Sequence, residues 1–197
     1  WQYFPSIDHL LLKDTLRHRL KDKFVLALCD QLIDTAPPVK RPPIWYAGDD
    51  LFTPGERRTG IPIGNLTSQF LANLYLDDFD HFLKEQYRLP AYLRYVDDFV
   101  VLGDDKHQLH DRREIIRDYL ATYRLRLHPH KAHIVSTRQG LNLLGYFVQP
   151  HHRYLRNDNG HRFARKLRHF AKHYATGRMT WQDFNPSVQS WIGHAKH

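Results

Sequence analysis

The sequence has 197 residues, of which 42% are hydrophobic and 13% aromatic, a supply that suits one globular domain or one and a fraction. Lysine and arginine exceed aspartate and glutamate by 29 to 21, and the net charge of +8 favours a polyanionic partner. A single cysteine, Cys29, excludes an internal disulfide and indicates a reducing compartment, so we expect a cytoplasmic location. We expect no membrane association, because the chain has no signal peptide and no apolar run long enough to span a bilayer.

The first part of the chain is predicted to be helical from the spacing of its apolar residues and from its cap residues. Ser6 is expected to cap a helix from about residue 8, whose leucines recur at helical spacing, and a second helix is expected at about 22–34. Residues 36–59 contain five prolines and are expected to be irregular, with a short strand at 44–46. This part of the chain is therefore predicted to be two helices and a long connection.

The middle of the chain changes from helix to strand and back to helix. Thr67 or Ser68 is expected to cap a helix whose apolar residues recur at helical spacing. Two short apolar runs on either side of residues 97–98 predict an antiparallel hairpin. A further helix is expected at about 106–123.

The last third of the chain combines strands with helices. Residues 133–137 and 141–148 are predicted strands, and a last helix is expected to open at Asn185-Pro186. Antiparallel strands with helices packed on one side, followed by a helical module, predict an α+β fold class.

Asp97 and Asp98 lie between the two apolar arms of the predicted hairpin, where a tight turn ordinarily carries Asn-Gly or Asp-Gly. Two like charges about 4 Å apart repel by about 4 kcal/mol at an effective dielectric of about 20. A protein that keeps two adjacent carboxylates at such a position therefore generally binds cations there. Magnesium held by one or two carboxylates and substrate phosphates is the common case. The alternative is a solvated or helix-capping pair, which is our interpretation of the other pairs, Asp49-Asp50, Asp77-Asp78 and Asp104-Asp105.

Arg162, Arg165 and Lys166 lie on one face of a predicted helix near the end of the sequence. A solvated surface is one interpretation of such a face, and contact with the phosphates of a nucleic-acid duplex is the other. Together with the positive net charge, this face favours duplex contact.

Three segments, taken in order, carry a resemblance. They are Gly60-Ile61-Pro62-Ile63-Gly64-Asn65-Leu66-Thr67-Ser68-Gln69, then Ala72-Asn73-Leu74-Tyr75-Leu76, then Tyr95-Val96-Asp97-Asp98. This order is similar to the palm of a reverse transcriptase of the prokaryotic type, related to group II intron and retron enzymes. The resemblance implies an RNA-directed DNA polymerase with a polymerase palm at 1–156 and the start of a helical thumb at 157–197. It also implies template RNA, a cDNA or primer strand and deoxynucleotides as partners, and Mg²⁺, with Mn²⁺ as the alternative, in a two-metal site.

The resemblance assigns roles to individual residues. Asp97 is the principal catalytic carboxylate and metal ligand, Asp98 is a secondary or structural one, and Lys131 resembles the lysine proposed to assist the leaving pyrophosphate. Phe4 is the aromatic residue that screens the sugar 2′-position. The nucleotide pocket is expected at Ile63, Gly64, Ser68 and Gln69, and the primer grip at Leu144, Gly145 and Tyr146.

In this family a metal-binding aspartate precedes the aromatic residue of the first catalytic motif. If Phe4 is that aromatic residue, the aspartate would lie before Trp1, so we expect the chain to be a fragment that is inactive on its own. Asp8 is interpreted instead as a helix-capping or structural acid.

Ile63 stands where most reverse transcriptases of this type carry glutamine. The sequence is similar at Ile63, at Gln69 and at residues 190–194 to the reverse transcriptases of diversity-generating retroelements. Those enzymes copy a template RNA with errors at adenines. That resemblance implies an error-prone polymerase and a basic accessory variability protein as a partner. An aliphatic side chain lacks the donor and acceptor of the amide, so discrimination that depends on that contact weakens.

Three other functions stay open at this point. A group II intron-like, retron or defence-associated reverse transcriptase would differ in its error spectrum on a defined RNA. A polymerase-derived RNA-binding domain would extend no primer. A histidine-rich metal protein is disfavoured, because the 15 histidines are scattered along the sequence.

Overall fold

The computed structural model describes residues 2–39, 42–62 and 64–196. It consists of helices and small antiparallel sheets, and the α+β class expected from the sequence is confirmed. The chain divides into two compact units, Trp1–Ile134 and Val135–His197. The boundary between palm and thumb at 156/157 is a functional division that these units do not test, and it stays a prediction.

The first unit is mostly helical and contains a β-hairpin. Its strands are β1 Tyr92–Tyr95 and β2 Asp98–Val101, with a 3₁₀ turn at Phe4–Ser6 and a π-helical segment at Phe82–Gln86. Its α-helices are α1 His9–Arg19, α2 Lys23–Asp34, α3 Thr53–Glu56, α4 Leu66–Tyr75, α5 Asp77–His81 and α6 Lys106–Thr122.

Aspartate side chains begin three of these helices by accepting hydrogen bonds from free backbone N–H groups. The Asp8 carboxylate accepts from Leu10 at 2.9 Å and from Leu11 at 3.2 Å, and Asp22 and Asp105 cap α2 and α6 in the same way. The helices expected near these positions are therefore confirmed. The interpretation of Asp8 as a helix-capping acid is confirmed as well, and the cap predicted at Ser6 is wrong, because the Ser6 hydroxyl donates to the Gln2 carbonyl instead.

The core of the first unit surrounds the buried rings of Tyr75 and Phe79. The Phe79 ring contacts Tyr92 of β1 and Phe99 of β2, with centroid separations of 6.1 and 5.5 Å. Burial of one such side chain stabilises a fold by about 1.5–3 kcal/mol. The hairpin is therefore held by the same apolar core that holds the helices.

The Asp8 carboxylate is fully buried and joins three segments of the first unit. Its Oδ2 atom lies 2.7 Å from Arg124 Nη1, just after α6, and 3.5 Å from Arg57 Nε, in the long connection. Arg57 also pairs with the buried carboxylate of Asp49. Two arginines thus compensate a charge that would be costly to bury alone.

Residues 44–46 form no strand in the described structure, so the strand predicted there is wrong. The carbonyls of Ile44 and Trp45 accept hydrogen bonds from Arg57 at 2.9 Å and Arg126 at 3.1 Å. Both guanidinium groups also lie 5.2 Å from the centre of the Tyr46 ring. Arginine side chains satisfy this backbone in place of a neighbouring strand.

Helix α4 begins earlier than expected, and the predicted cap is wrong. The N-cap is Asn65, whose side chain makes no capping hydrogen bond. Thr67 and Ser68 lie inside the first turn of the helix instead. The N-terminus of α4 is therefore without a side-chain cap.

The second unit contains a three-stranded antiparallel sheet and two long helices. The strands pair in the order β3-β4-β5, and α7 packs on α8 through stacked Phe163 and Trp191 rings 4.3 Å apart. In neither unit does a described helix combine the length and apolarity needed to cross a membrane. The elements are a 3₁₀ turn at Thr137–Gln139, β3 Leu141–Leu143, β4 Tyr146–Val148, β5 Arg153–Leu155, α7 Asn157–Ala175 and α8 Trp181–Lys196.

Both strand predictions after α6 need correction. Residues 133–136 have no regular secondary structure and Thr137 begins a 3₁₀ turn, so the strand predicted at 133–137 is wrong. The segment 141–148 is not one strand but two, β3 and β4, with a tight turn at Leu144 and Gly145.

Helix α8 begins at Trp181 rather than at Asn185-Pro186, and Pro186 lies inside the helix. The Asp183 carboxylate accepts hydrogen bonds from the backbone N–H and the hydroxyl of Thr180, at 2.7 and 2.8 Å. The contact of the Asp183 side chain with the Thr180 N–H is one half of a capping box, and it stabilises the earlier start.

Asp8→Asn is expected to lower the free energy of unfolding by about 3–5 kcal/mol, because Arg57 and Arg124 lose their shared carboxylate. Asparagine keeps the helix cap, so the substitution isolates the buried charge. Urea unfolding measures the loss. The control is Glu114→Gln, which breaks an exposed pair with Arg117 and should cost less than about 1 kcal/mol. Equal losses in the two variants would contradict the importance of the buried pair.

Candidate active site

The two carboxylates of the candidate metal site occupy different positions in the β1–β2 hairpin. Tyr95 pairs with Asp98, so Val96 and Asp97 form a two-residue turn. The predicted hairpin is confirmed. The expectation that both carboxylates lie in the connection is corrected, because Asp98 is already the first residue of β2.

The turn is backbone-strained at Val96, whose φ is 57°. A β-branched residue rarely adopts this conformation, which costs on the order of 1–3 kcal/mol. Arg94 donates a hydrogen bond to the Val96 carbonyl at 2.7 Å, and Asp80 holds the Arg94 Nε at 2.8 Å. A side-chain contact therefore supports a turn that in other hairpins relies on glycine or asparagine.

Charge interactions link Asp97 with a second predicted catalytic residue. Burial raises the pKa of Asp97 above its ordinary value, and the neighbouring Asp98 charge adds to the rise. A backbone N–H and the ammonium group of Lys131 lower the same pKa. The Lys131 charge therefore acts on the Asp97 carboxyl through space, without an ion pair between the two side chains in the described structure.

The carboxylates of Asp97 and Asp98 differ from the other adjacent pairs. Asp77 and Asp78, for example, both bind Arg19 at 2.7 Å, whereas neither Asp97 nor Asp98 has a basic partner within ion-pairing distance in the described structure. The described residues also contain no group of three or more His, Cys, Asp or Glu side chains placed to hold a metal ion. Two carboxylates nonetheless fit Mg²⁺, which commonly takes one or two from protein and the rest from phosphates and water.

Phe4 is tied to the segment that leads into the predicted nucleotide pocket. Its carbonyl accepts a hydrogen bond from Ile61 at 3.2 Å, and the Ile7 carbonyl accepts one from Gly60 at 2.8 Å. Gly60 has a φ of 100°, and a side chain there would meet Val39 Cγ2 at 2.7 Å. Only glycine suits this position, which brings Phe4 beside the start of the pocket segment.

The predicted pocket residues are placed in different environments. Gly64 has a φ of 102°, and a Cβ atom there would meet nothing within 4 Å, so its backbone conformation and not a lack of space requires glycine. Gln69 is exposed, whereas Ser68 is only 2% exposed and lies in the interior. Ile63 lies outside the described residues.

The predicted primer grip forms the turn between β3 and β4 in the second unit. Leu144 and Gly145 have φ values of 49° and 87°, both positive as in a type I′ turn. The Gly145 carbonyl accepts a hydrogen bond from Asn159 of α7 at 3.2 Å, and the Tyr146 hydroxyl donates one to the His194 carbonyl of α8 at 2.6 Å. Both helices therefore anchor this turn.

The basic residues predicted to contact nucleic acid are all exposed on α7. Lys166 Nζ donates to Ser187 Oγ at 2.7 Å and lies 5.4 Å from the Phe170 ring, so it takes part in the contact between α7 and α8. Arg162 and Arg165 have no acidic partner in the described part of the chain. These two guanidinium groups are available to a partner.

No role in the site was predicted for Arg94, which contacts the hairpin turn, or for three residues that interact with Arg94 or its charge, namely Tyr3, Asn73 and Asp80. Burial raises the pKa of Tyr3 above its ordinary value, and the charge of Asp97 adds to the rise. Asn73 lies in one of the segments that carry the resemblance, but nothing in the sequence indicated its contact with Arg94. The contact of Arg94 with Asp80 joins residues that are distant in sequence, so no local pattern could reveal it.

Comparison with known proteins gives these features a family. The chain is 26% identical over 177 aligned residues to Protein YkfC of Escherichia coli (strain K12), and the alignment covers 73% of this chain and 44% of that protein. The chain therefore spans less than half the length of this relative. Residues 19–148, which include the hairpin and Lys131, match the family described as reverse transcriptase (RNA-dependent DNA polymerase). Because that match covers more than half of the sequence, the chain belongs to the reverse transcriptase family.

Proposed function

We propose that this chain contains the catalytic carboxylates of an error-prone reverse transcriptase that copies a template RNA into cDNA. The observation that carries the proposal is the Asp97-Asp98 pair, which has no ion-pair partner in the described structure. The positive charge of Lys131 also lowers the pKa of Asp97. Phosphoryl transfer depends on positioning and charge neutralisation more than on covalent help from the protein. A carboxylate pair on a core-anchored hairpin suits that requirement.

The proposed roles are those that the family resemblance assigns to these residues. Asp97 and Asp98 would hold Mg²⁺, or Mn²⁺ as the alternative, and the bound ions supply charge neutralisation and activation of the primer 3′-hydroxyl. Lys131 would place its ammonium group near the departing pyrophosphate. Phe4, held by its hydrogen bond with Ile61, would limit the space at the sugar 2′-position.

The chain spans less than half the length of the relative that it matches, so the experiments on catalysis use the full-length protein.

The finer subtype is proposed from Ile63 and its neighbours. An aliphatic residue at a position where related enzymes carry glutamine removes a polar contact beside the nucleotide. Without that contact, a pocket distinguishes correct from incorrect nucleotides by shape alone, which is worth only about 1–3 kcal/mol for each chemical group that differs. This supports an enzyme of the diversity-generating retroelement group, with template RNA and a basic accessory protein as partners. A group II intron-like, retron or defence-associated enzyme is the alternative within the family, and the error spectrum separates the two.

Asp97→Asn in the full-length protein is expected to lower primer extension by several orders of magnitude without loss of folding, because a metal ligand is lost. Extension of a labelled primer on an RNA template measures the rate, and circular dichroism checks the fold. Asp104→Asn, in another Asp-Asp pair, is the control and should extend primers at the normal rate. A normal rate for Asp97→Asn would overturn the assignment of Asp97 as a metal ligand, whereas absence of primer extension by the unsubstituted full-length protein would favour a polymerase-derived RNA-binding domain.

Arg162→Gln combined with Arg165→Gln is expected to weaken binding to an RNA–DNA duplex and to reduce the salt dependence. Each lost phosphate contact should reduce the slope of log K against log salt by about 0.9. Fluorescence anisotropy at several salt concentrations measures the slope. The matched control is Arg17→Gln with Arg19→Gln, since both of these arginines already pair with aspartates. Equal slopes in the two double variants would argue for a merely solvated face.

Ile63→Gln is expected to lower misincorporation opposite template adenine while polymerisation continues, because glutamine restores a donor and an acceptor beside the nucleotide. Sequencing of cDNA copied from one template RNA by both versions measures the error rate. The control is Leu10→Gln, the same kind of exchange at a residue of α1 that is 70% exposed. An unchanged adenine error rate in an active Ile63→Gln enzyme would move the assignment to the intron-like alternative.

A further inference from the structure

Arg94 makes a set of contacts that converge on the hairpin turn. Its Nη1 atom donates to the Val96 carbonyl at 2.7 Å and to Asn73 Oδ1 at 3.1 Å. On the other side its Nε atom donates to Asp80 Oδ1 at 2.8 Å, and its Nη2 atom pairs with Asp80 Oδ2. The side chain of Arg94 is 10% exposed, so these contacts are largely shielded from water.

The carbonyl that Arg94 contacts belongs to the peptide unit between Val96 and Asp97. Because a peptide unit is planar, the orientation of this carbonyl also sets the direction of the Asp97 N–H. Val96 is strained at a φ of 57°, so the turn would relax towards other conformations without external contacts. The Arg94 hydrogen bond thus selects the backbone conformation from which the Asp97 side chain projects.

Arg94 can hold this carbonyl because its guanidinium group is itself fixed. Asp80 of α5 binds two of its nitrogen atoms, and the Tyr92 hydroxyl donates to the same carboxylate at 2.7 Å. Asn73 adds a contact from α4. A lysine has one point charge and cannot bind the carboxylate in two places while reaching the carbonyl.

We propose that Arg94, held by Asp80, is a positioning residue that fixes the conformation of the turn carrying Asp97. It thereby fixes the orientation of the Asp97 carboxylate. The inference rests on the proposed function of Asp97, because the orientation of its carboxylate affects the reaction only if Asp97 takes part in catalysis. Arg94 itself is not expected to contact substrate or metal. Its effect is transmitted through the peptide unit between Val96 and Asp97.

The test compares Arg94→Lys and Asp80→Asn in the full-length protein. Both are expected to lower kcat for primer extension by about 10- to 100-fold, since small misplacement of a reacting group has effects of this size. KM for the nucleotide should stay within about threefold, because the nucleotide pocket is unchanged. Tyr92→Phe, which removes one donor to Asp80 but keeps the guanidinium contacts, should produce a smaller loss.

The second measurement is hydrogen exchange of the metal-free protein, which needs no activity. Peptides covering residues 92–101 should exchange faster in Arg94→Lys and Asp80→Asn, while α1 and α4 keep their protection. Arg17→Lys is the matched control, because it alters an Arg–Asp pair of 2.7 Å on α1 and should change neither exchange in the hairpin nor kcat.

The outcomes separate this proposal from the proposed function. Unchanged kcat and unchanged hairpin exchange in Arg94→Lys, in an enzyme that Asp97→Asn inactivates, would overturn the positioning role and leave the function standing. Loss of protection throughout the first unit in both variants would assign the pair to fold stability alone and would also overturn it. Normal activity of Asp97→Asn would instead remove the proposed function itself.

Discussion

The buried carboxylate of Asp8 is the interaction on which the first unit depends. It caps α1, pairs with Arg124 after α6 and with Arg57 in the proline-containing connection, and so ties together parts of the chain that are distant in sequence. The bridge between Asp8 and Thr59 then leads directly to Gly60, whose carbonyl contacts His9 Nε2 at 2.6 Å. A charge that would be unfavourable alone therefore fixes the path of the chain into the predicted nucleotide pocket.

In the β1–β2 hairpin, the residues of the turn conflict with local backbone preference. A two-residue turn is most stable with glycine or asparagine, yet this turn contains Val96 and Asp97, and Val96 takes a positive φ. The surrounding structure offsets that strain with the Phe79 contacts beneath the strands and the Arg94 contact at the turn. Strain at such a position is typical of residues held in place for chemistry.

In each of the two described hairpins with a two-residue turn, a side chain from outside the turn holds a carbonyl of the turn. In the first unit, Arg94 donates to the Val96 carbonyl, and in the second, Asn159 donates to the Gly145 carbonyl. Each turn is therefore held by a side chain and not by its own residues alone. In both units the turn carries residues that the family resemblance assigns to substrate handling, and a held turn keeps such residues in one geometry.

Local patterns in the sequence determined the capped helices at Asp8, Asp22 and Asp105, the β1–β2 hairpin, the α+β class and the ordered motifs of the family. These features depend on neighbours within a few residues, which the sequence displays directly. The tertiary structure alone decided that residues 44–46 and 133–137 form no strands, that Asp97 and Asp98 lack an ion-pair partner in the described structure, and that Arg94 reaches Asp80. Strand partners and ion pairs involve groups far apart along the chain, so they exist only once the chain has folded.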